Sequence, residues 1–333
     1  MLLVWRAEMA KKVVTHPGDA HLDDLLSVAV ALAIDPGIRV VERREPTEEE
    51  LADPEVIVLD VGGELSPLCQ SYDHHQFQRD AAAECTLSLF VRELEWEGES
   101  VFEAFRITKW FQTLRVADSK GPFQLAKSLG TTPEVVFRLH SPLEGALLQL
   151  FQAETVWEVA TYHPELPAGW LLPNSLPEVL HLVGKGLLDG AVENLKRVKA
   201  LDSLCRIVEV DGVQGYVLES EDTVGTETWR ERSAPGTAFS VVYDNRGPGW
   251  TLYRYDDDSR IDFSRLEGRE EATFAHKGGF IAKTASRERV GLEQALELVR
   301  AAIVVQPREC ACGSGEPSPG VSGGCSSGSP YCG

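Results

Sequence analysis

Three clusters of acidic and imidazole side chains lie within the first 75 residues, each at or near the end of a short apolar run. His16, Asp19, His21, Asp23 and Asp24 follow the β-rich residues 12–15. Asp60, followed by Val61, Gly62 and Gly63, ends the run over residues 56–59. Asp73, His74 and His75 form the third cluster. Polar groups repeated at the ends of buried strands call for a sheet whose edge loops converge on one site. The chain between them reads strand, helix, strand. Leu22, Leu25, Leu26, Ala29 and Ala33 recur at helical spacing, and Asp35, Pro36 and Gly37 stop that helix. Residues 38–42 and 56–60 are strand candidates, with an acidic turn at 46–50. Such βαβ patterning predicts an α/β fold with a mostly parallel sheet.

With 333 residues the chain can bury two cores. Residues 85–96 and 101–117 are amphipathic and predict two helices, the second ended by Gly121 and Pro122. Residues 166–176 are rich in Pro and Gly, as an interdomain connection would be. A helix over 189–204 then leads to strands near 205–210, 215–219, 239–244 and 251–255, and a helix at 291–302 closes the region. The expected division is a metal-binding catalytic domain over 1–165, a smaller α+β substrate-binding domain over 166–305, and a Cys/Gly/Ser-rich tail over 306–333.

The net charge of −20 is expected to repel long duplex DNA, because duplex binding depends on Lys and Arg neutralising phosphates. A phosphate-bearing substrate should therefore be short, with metal ions supplying positive charge. No apolar stretch approaches the ~20 residues that span a bilayer, so no membrane partner is expected. The first residues show no basic start followed by a long apolar core, which reads as non-secreted and cytoplasmic. Oligomeric state stays open, a dimer included.

Histidine and carboxylate together ligate borderline divalent metals such as manganese, iron or zinc. His16, His21, Asp23, Asp60, His74 and Asp118 are the candidate ligands. Two metals about 3.5–4 Å apart need a bridging carboxylate. Asp60 suits that place, because the glycines after it let backbone pass close to a ligand. Asp19 is expected to cap the following helix, and Asp24, next to Asp23, is expected to point elsewhere.

These motifs, His16-x-Gly18-x-x-His21-x-Asp23, Asp60-Val61-Gly62-Gly63 and Tyr72-Asp73-His74-His75-Gln76, resemble those of the DHH phosphoesterase superfamily. They resemble most closely the melanocyte-proliferating-gene family, often catalogued as metal-dependent protein hydrolases. The superfamily includes RecJ-type exonucleases, oligoribonucleases, cyclic-dinucleotide phosphodiesterases and family II pyrophosphatases. The resemblance implies two divalent cations, usually manganese, in a cleft between a DHH-type domain and a second, smaller domain. It implies His16 and His21 on one metal, Asp23 and His74 on the other, and Asp60 bridging. It implies further that His75 faces the substrate phosphate, that Asp73 orients the histidines and that Asp118 joins the second metal. At the fourth motif the family commonly shows Asp-Asn-Gly, where this chain has Asp118, Ser119, Lys120 and Gly121.

Residues 275–281 resemble the family's glycine-rich substrate loop. His276 and Lys277 add charge there, Gly278 and Gly279 would expose backbone N–H groups to an anion, and Lys283 and Arg287 follow closely. In the tail, Cys310-x-Cys312-Gly-Ser-Gly315 resembles the first half of SEC-C-type zinc motifs, but Cys325 and Cys332 depart from the usual second pair. Four thiolates can hold one zinc or stay free.

The resulting expectation is a manganese-dependent phosphoesterase, exonuclease- or nano-RNase-like, that hydrolyses a short nucleotide or oligonucleotide by two-metal activation of water. The competing readings are a pyrophosphate- or amide-cleaving hydrolase and a metal-containing regulatory protein with little turnover.

Overall fold

The β-branched run Lys12–Thr15 forms β1, the centre of the first sheet. A computed structural model of the chain describes residues 9–78, 80–138, 141–159, 175–284 and 289–304. Helix α1 (Leu22–Ile34) leads to β2 (Val40–Arg43), and α2 (Glu48–Ala52) leads to β3 (Val56–Leu59). The short strands β4 (Leu65–Ser66) and β5 (Ser71–Tyr72) follow. All four residues of β3 are buried, as in a parallel strand covered on both faces. In α1, residues 23 to 32 are buried all round. That is the pattern of a helix enclosed on every side.

Next come α3 (Thr86–Phe90), β6 (Glu95–Trp96), β7 (Glu99–Ser100), α4 (Val101–Arg106), α5 (Lys109–Ser128), α6 (Pro133–Arg138), α7 (Pro142–Gln152) and β8 (Val156–Glu158). The first sheet has the order β4-β5-β3-β1-β2-β8. Its inner pairs β5-β3, β3-β1 and β1-β2 are parallel, and its edges β4 and β8 are antiparallel. The fold is thus mixed α/β, with the mostly parallel sheet expected.

Local departures from the expected elements have identifiable causes. Residues 46–50 are not a bare turn. Thr47 accepts the Glu50 N–H at 3.2 Å while the Glu50 carboxylate accepts the Thr47 N–H at 3.0 Å, and this capping box starts α2. The helix expected over 85–96 ends at Phe90, and a tight hairpin joins β6 to β7. Glu97 and Gly98 there take φ of 49° and 77°, the two-residue turn that suits strand twist. The helix expected over 101–117 breaks between α4 and α5. Gly121 (φ 80°, ψ 169°) leaves helical geometry just before Pro122, so the helix ends there as expected, and a second helical stretch continues across the kink within α5.

Helix α8 (Leu176–Leu204) starts well before residue 189, where the sequence pattern suggested. Pro177 sits in its first turn, where a missing N–H costs nothing. Glycines interrupt the apolar periodicity, and one of them has a packing reason. A Cβ on Gly184 would lie 2.0 Å from the Ala29 carbonyl oxygen, so α8 crosses α1 backbone to backbone. Leu180, Leu188, Ala191, Val192 and Leu195 join the core of the first sheet with α1.

The second sheet comprises β9 (Cys205–Val210), β10 (Val213–Leu218), β11 (Phe239–Tyr243), β12 (Trp250–Arg254), β13 (Ala272–Ala275) and β14 (Ile281–Thr284), with α9 (Thr226–Ser233) and α10 (Leu292–Ala302). Its order is β13-β14-β12-β11-β10-β9, antiparallel except for β10-β11. The first four strands and α10 follow the sequence expectation, whereas the β13-β14 hairpin was not expected. One face packs on α10 around Phe239, Leu252 and Leu298. The other holds Tyr216, Leu218 and Val242 against Val198 and Leu201 of α8 and Trp229 of α9.

The expected boundary near 165, Arg287 and the cysteines Cys310, Cys312, Cys325 and Cys332 lie outside the described residues. Among the described residues no helix is long and apolar enough to cross a membrane.

Candidate metal centre

The register of the first sheet explains how distant motifs meet. Thr15 pairs with Leu59, and Leu59 pairs with Tyr72. All three strands run the same way, so the residues just past those rungs, His16, Asp60 and Asp73, leave the sheet at one edge. Strand β1 is flanked by β2 on one side and β3 on the other, a topological switch point of the kind where open α/β sheets bind ligands.

Asp60 is buried and held at φ 60°. Its Oδ1 accepts the Thr86 hydroxyl at 3.0 Å and lies 3.2 Å from His74 Nε2, while its Oδ2 is buried with no hydrogen-bond partner. His74 Nε2 is also 3.0 Å from Asp118 Oδ2. Asp23, at the start of α1, accepts the N–H groups of Thr86 at 2.8 Å and Leu87 at 3.0 Å. Three sets of donors have atoms within 4.8 Å of one another: Asp60, His74 and His75; His16, Asp24 and Asp60; Asp23, His74 and Asp118. Each set could hold a cation. The sets share Asp60 and His74.

Burial, with Asp118 and Asp60 close by, pushes the Asp23 carboxyl up to about 7. Burial likewise pushes Asp24 well above the usual carboxylate range; Asp60 adds to this and Arg43 opposes it. Burial works against a charged His74, but hydrogen bonds to Asp118 and Asp60 prevail and push it up to about 10. Four carboxylates in so small a space repel one another, and a cation relieves that repulsion.

The third cluster splits its tasks. Asp73 Oδ1 accepts the His75 N–H at 2.8 Å and lies 2.8 Å from His75 Nδ1, while its Oδ2 accepts the Gly63 N–H at 2.7 Å. Burial disfavours the Asp73 carboxylate, but these N–H donors outweigh it and hold the pKa below its ordinary value. Asp73 therefore orients His75, not His74. The His75 side chain is 52% exposed, with its ring 6.1 Å from that of His16.

Two expectations need correction. Asp24 does not point elsewhere: it is fully buried, in one set with His16 and Asp60, and 3.9 Å from Arg43 Nη2. Arg43 also donates to the Gly18 carbonyl at 2.9 Å, which ties β2 to the first loop. Asp19 does not cap α1. The cap position is His21, and Asp19 accepts from the Gln152 side chain at 2.9 Å instead. His21 is exposed, stacks on His16 at 5.7 Å, and stands outside the three donor sets. Thr86, which links Asp23 to Asp60, was missed. Its only sequence signal is its place at the start of an apolar helix.

The glycine loop joins β13 to β14. A Cβ on Gly279 (φ 68°) would lie 2.2 Å from Asp262 Oδ1, so only glycine fits. Its N–H groups are not free for an anion. Gly278 N–H donates to His276 Nδ1 at 2.9 Å and Gly279 N–H to the His276 carbonyl at 2.8 Å. The first bond makes Nδ1 an acceptor and leaves the ring proton on Nε2. His276 and Lys277 are exposed, and Lys283 pairs with Asp244 at 2.6 Å.

The family model MYG1_exonuc, described as an uncharacterised protein family (UPF0160), matches residues 12–88. That segment carries the first three motifs and Thr86. A rat (Rattus norvegicus) protein named MYG1 exonuclease is 41% identical over 68 residues, 20% of this chain. The chain spans only 17% of the length of that curated relative. A solved structure of the pGpG-specific phosphodiesterase PggH from Vibrio cholerae aligns with 89% of this chain and 100% of its own, at 11% identity and a TM-score of 0.26. A score that low does not relate the two folds.

Proposed function

We propose that the chain belongs to the MYG1-like family and hydrolyses phosphodiester bonds in short nucleotides or oligonucleotides, using two divalent cations, with manganese the first choice. The observation that carries this reading is the set His16, Asp24 and Asp60. His16 Nδ1, Asp24 Oδ2 and Asp60 Oδ2 are all buried without a hydrogen-bond partner, and the three residues have donor atoms within 4.8 Å of one another. Buried polar atoms are rarely left unpaired, and three in one place are best accounted for by a cation. Imidazole mixed with carboxylate suits manganese, iron or zinc.

In this reading His16, Asp60 and Asp24 hold one cation, with His21 a further ligand. Asp23, His74 and Asp118 hold the second, and Asp60 is shared. Divalent cations bound there supply Lewis acidity, activating water at neutral pH and offsetting charge on phosphoryl oxygens. The chain's own residues do the rest. Thr86 and the backbone donors on Asp23 fix the carboxylates. Asp73 holds His75 through Nδ1, so Nε2 is the atom that meets a substrate oxygen and holds or passes a proton. His276, with its proton on Nε2, donates to a phosphate oxygen, and Lys277 beside it adds a cation; Lys283, paired with Asp244, and Arg287 are the further substrate-binding residues expected from the sequence. The site would lie in a cleft between the regions 1–165 and 166–305. The tail cysteines Cys310, Cys312, Cys325 and Cys332 are proposed as a separate zinc site.

The test is turnover by the purified full chain with manganese. The panel would be pyrophosphate, cyclic dinucleotides, nucleoside bisphosphates, and RNA or DNA of two to five nucleotides. Release of nucleoside monophosphates from the short strands is expected. Cleavage of pyrophosphate alone would reject the reading.

A further inference from the structure

The second sheet has one face that is only half covered. On β10 and β11, Tyr216, Leu218 and Val242 of that face lie beneath α8 and α9. Register carries the same face on to β12, β14 and β13. Tyr253 pairs with Ile281, Thr251 with Lys283, and Lys283 with Phe274. The alternate residues Leu252 and Ala282 point the other way into the core, so this face is the outer one. Among the described residues no helix covers this half. Tyr253 is 36% exposed, Phe280 37% and Phe274 46%.

These rings form a continuous row. Tyr253 and Phe280 have centroids 6.2 Å apart, Phe280 and His276 4.3 Å, and His276 and Phe274 6.3 Å. Elsewhere among the described residues, Trp110 (37% exposed) packs only on the buried rings of Phe105 and Phe111. Phe123 (71% exposed) and Phe137 (53%) show no ring contact with any described residue. The row also carries cationic and donor chemistry at one end. His276 has its proton on Nε2, and Lys277 forms no ion pair with any described residue. An ammonium without an ion pair stands out on a chain with a net charge of −20.

Flat apolar rings beside phosphate-seeking groups match a ligand with a planar ring and an attached phosphate. We propose that this half-face stacks an unpaired nucleobase of the substrate on Phe280, Tyr253 and Phe274 while His276 and Lys277 take its phosphate. The proposal rests on the nucleotide reading above and sharpens it. It makes the substrate a single-stranded, base-bearing nucleotide and gives pyrophosphate no use for the rings. Stacking on aromatics is worth enough to matter, is tolerant of sequence, and requires the base to be unpaired.

The probes are a fluorescein-tagged single-stranded DNA pentamer and an abasic pentamer with the same phosphates. Anisotropy is read on the full chain, with calcium replacing manganese so that the probe survives. The base-bearing probe should bind about tenfold more tightly. Phe280→Ala and Tyr253→Ala should each remove most of that preference and leave abasic binding unchanged, and Phe280→Tyr should keep it. Both residues are partly exposed, so the variants should fold, and unchanged melting temperature checks this. Equal affinity for the two probes, no binding of either, or variants that keep the preference would overturn the proposal. The nucleotide reading fails separately, if manganese supports no hydrolysis of any base-bearing substrate. If hydrolysis proceeds with equal kcat/KM on base-bearing and abasic strands, stacking alone is wrong.

Discussion

The two sheets offer polar chemistry in different places. In the first, the faces are closed, by α1 and α8 on one side and by Leu51 of α2 beside Val58 on the other. What remains open is the edge where β1, β3 and β5 end together. In the second sheet most neighbours are antiparallel, so strand ends alternate and no edge collects several loops. What remains open there, among the described residues, is half a face. A metal needs ligands converging from several loops, and parallel strands deliver them. A planar ligand needs a flat surface, and an uncovered sheet face provides one. On the function proposed above, bond cleavage and base recognition would be divided between an edge and a face.

The sharpest way to break this comparison is Asp60→Ala. If the edge is the catalytic half, loss of its shared carboxylate should cut turnover about a thousandfold or more at saturating manganese. Elemental analysis should show lost metal, and circular dichroism should show an intact fold. Turnover within about tenfold of wild type would move the chemistry away from that edge.

The next effect concerns the edge without its metal. The Asp23 carboxyl, ordinarily near 3.8, is pushed up to about 7 by burial and by Asp118 and Asp60. Between those values the folded chain holds a proton that the unfolded chain has released, so stability falls as pH rises. His74, ordinarily near 6.5, is pushed up to about 10 because hydrogen bonds to Asp118 and Asp60 overcome burial. Its contribution is complete below 6.5 and is lost as pH rises through 10, the same direction. Metal-free protein should therefore lose several kcal/mol, at most about 6, from about pH 5 to pH 9. Manganese should restore most of it at the alkaline end. Calorimetry on chelated and loaded protein checks this, and a metal-free melting temperature that climbs over that range contradicts the charge arrangement.

A third prediction tests the packing beneath the edge. Gly184→Ala places a methyl against the Ala29 carbonyl, and backbone on both sides can yield only if α8 moves off α1. About 1–3 kcal/mol of stability should be lost. Because Asp23 and Asp24 lie in the first turn of α1, manganese affinity should fall with it, while oligonucleotide stacking on the second sheet should hold. Equal losses at edge and face would show that the two are not separable.

How much of this could be read beforehand differs along the same line. The edge was legible because its residues come as local motifs at strand ends: of the candidates His16, His21, Asp23, Asp60, His74 and Asp118, all but His21 fall in the three donor sets. Asp24 was misjudged because adjacent helical residues normally diverge. In this first turn, though, Asp23 is held by the α3 backbone while Asp24 faces Arg43 from β2, so both stay inside. The first half of α8 was hidden by glycines whose reason, the crossing on Ala29, exists only in three dimensions. The aromatic row could not be read at all. Tyr253 is far in sequence from Phe274 and Phe280, and only the β12-β14-β13 pairing and the ring contacts it allows bring the three together.

The smallest expected effect makes the face argument specific. Phe123 is more exposed than any ring of the row, at 71%, but has no ring neighbour among the described residues. If exposure alone drew nucleobases, Phe123→Ala would weaken oligonucleotide binding as much as Phe280→Ala. If the row with His276 and Lys277 is the cause, Phe123→Ala should change pentamer affinity by less than about twofold, the usual range for a surface substitution away from any site. It follows Pro122 at the kink that comes just after Asp118, so manganese affinity should be read alongside. A several-fold loss of pentamer binding with metal affinity intact would extend the stacking surface onto α5 and end the claim that base recognition belongs to the second sheet.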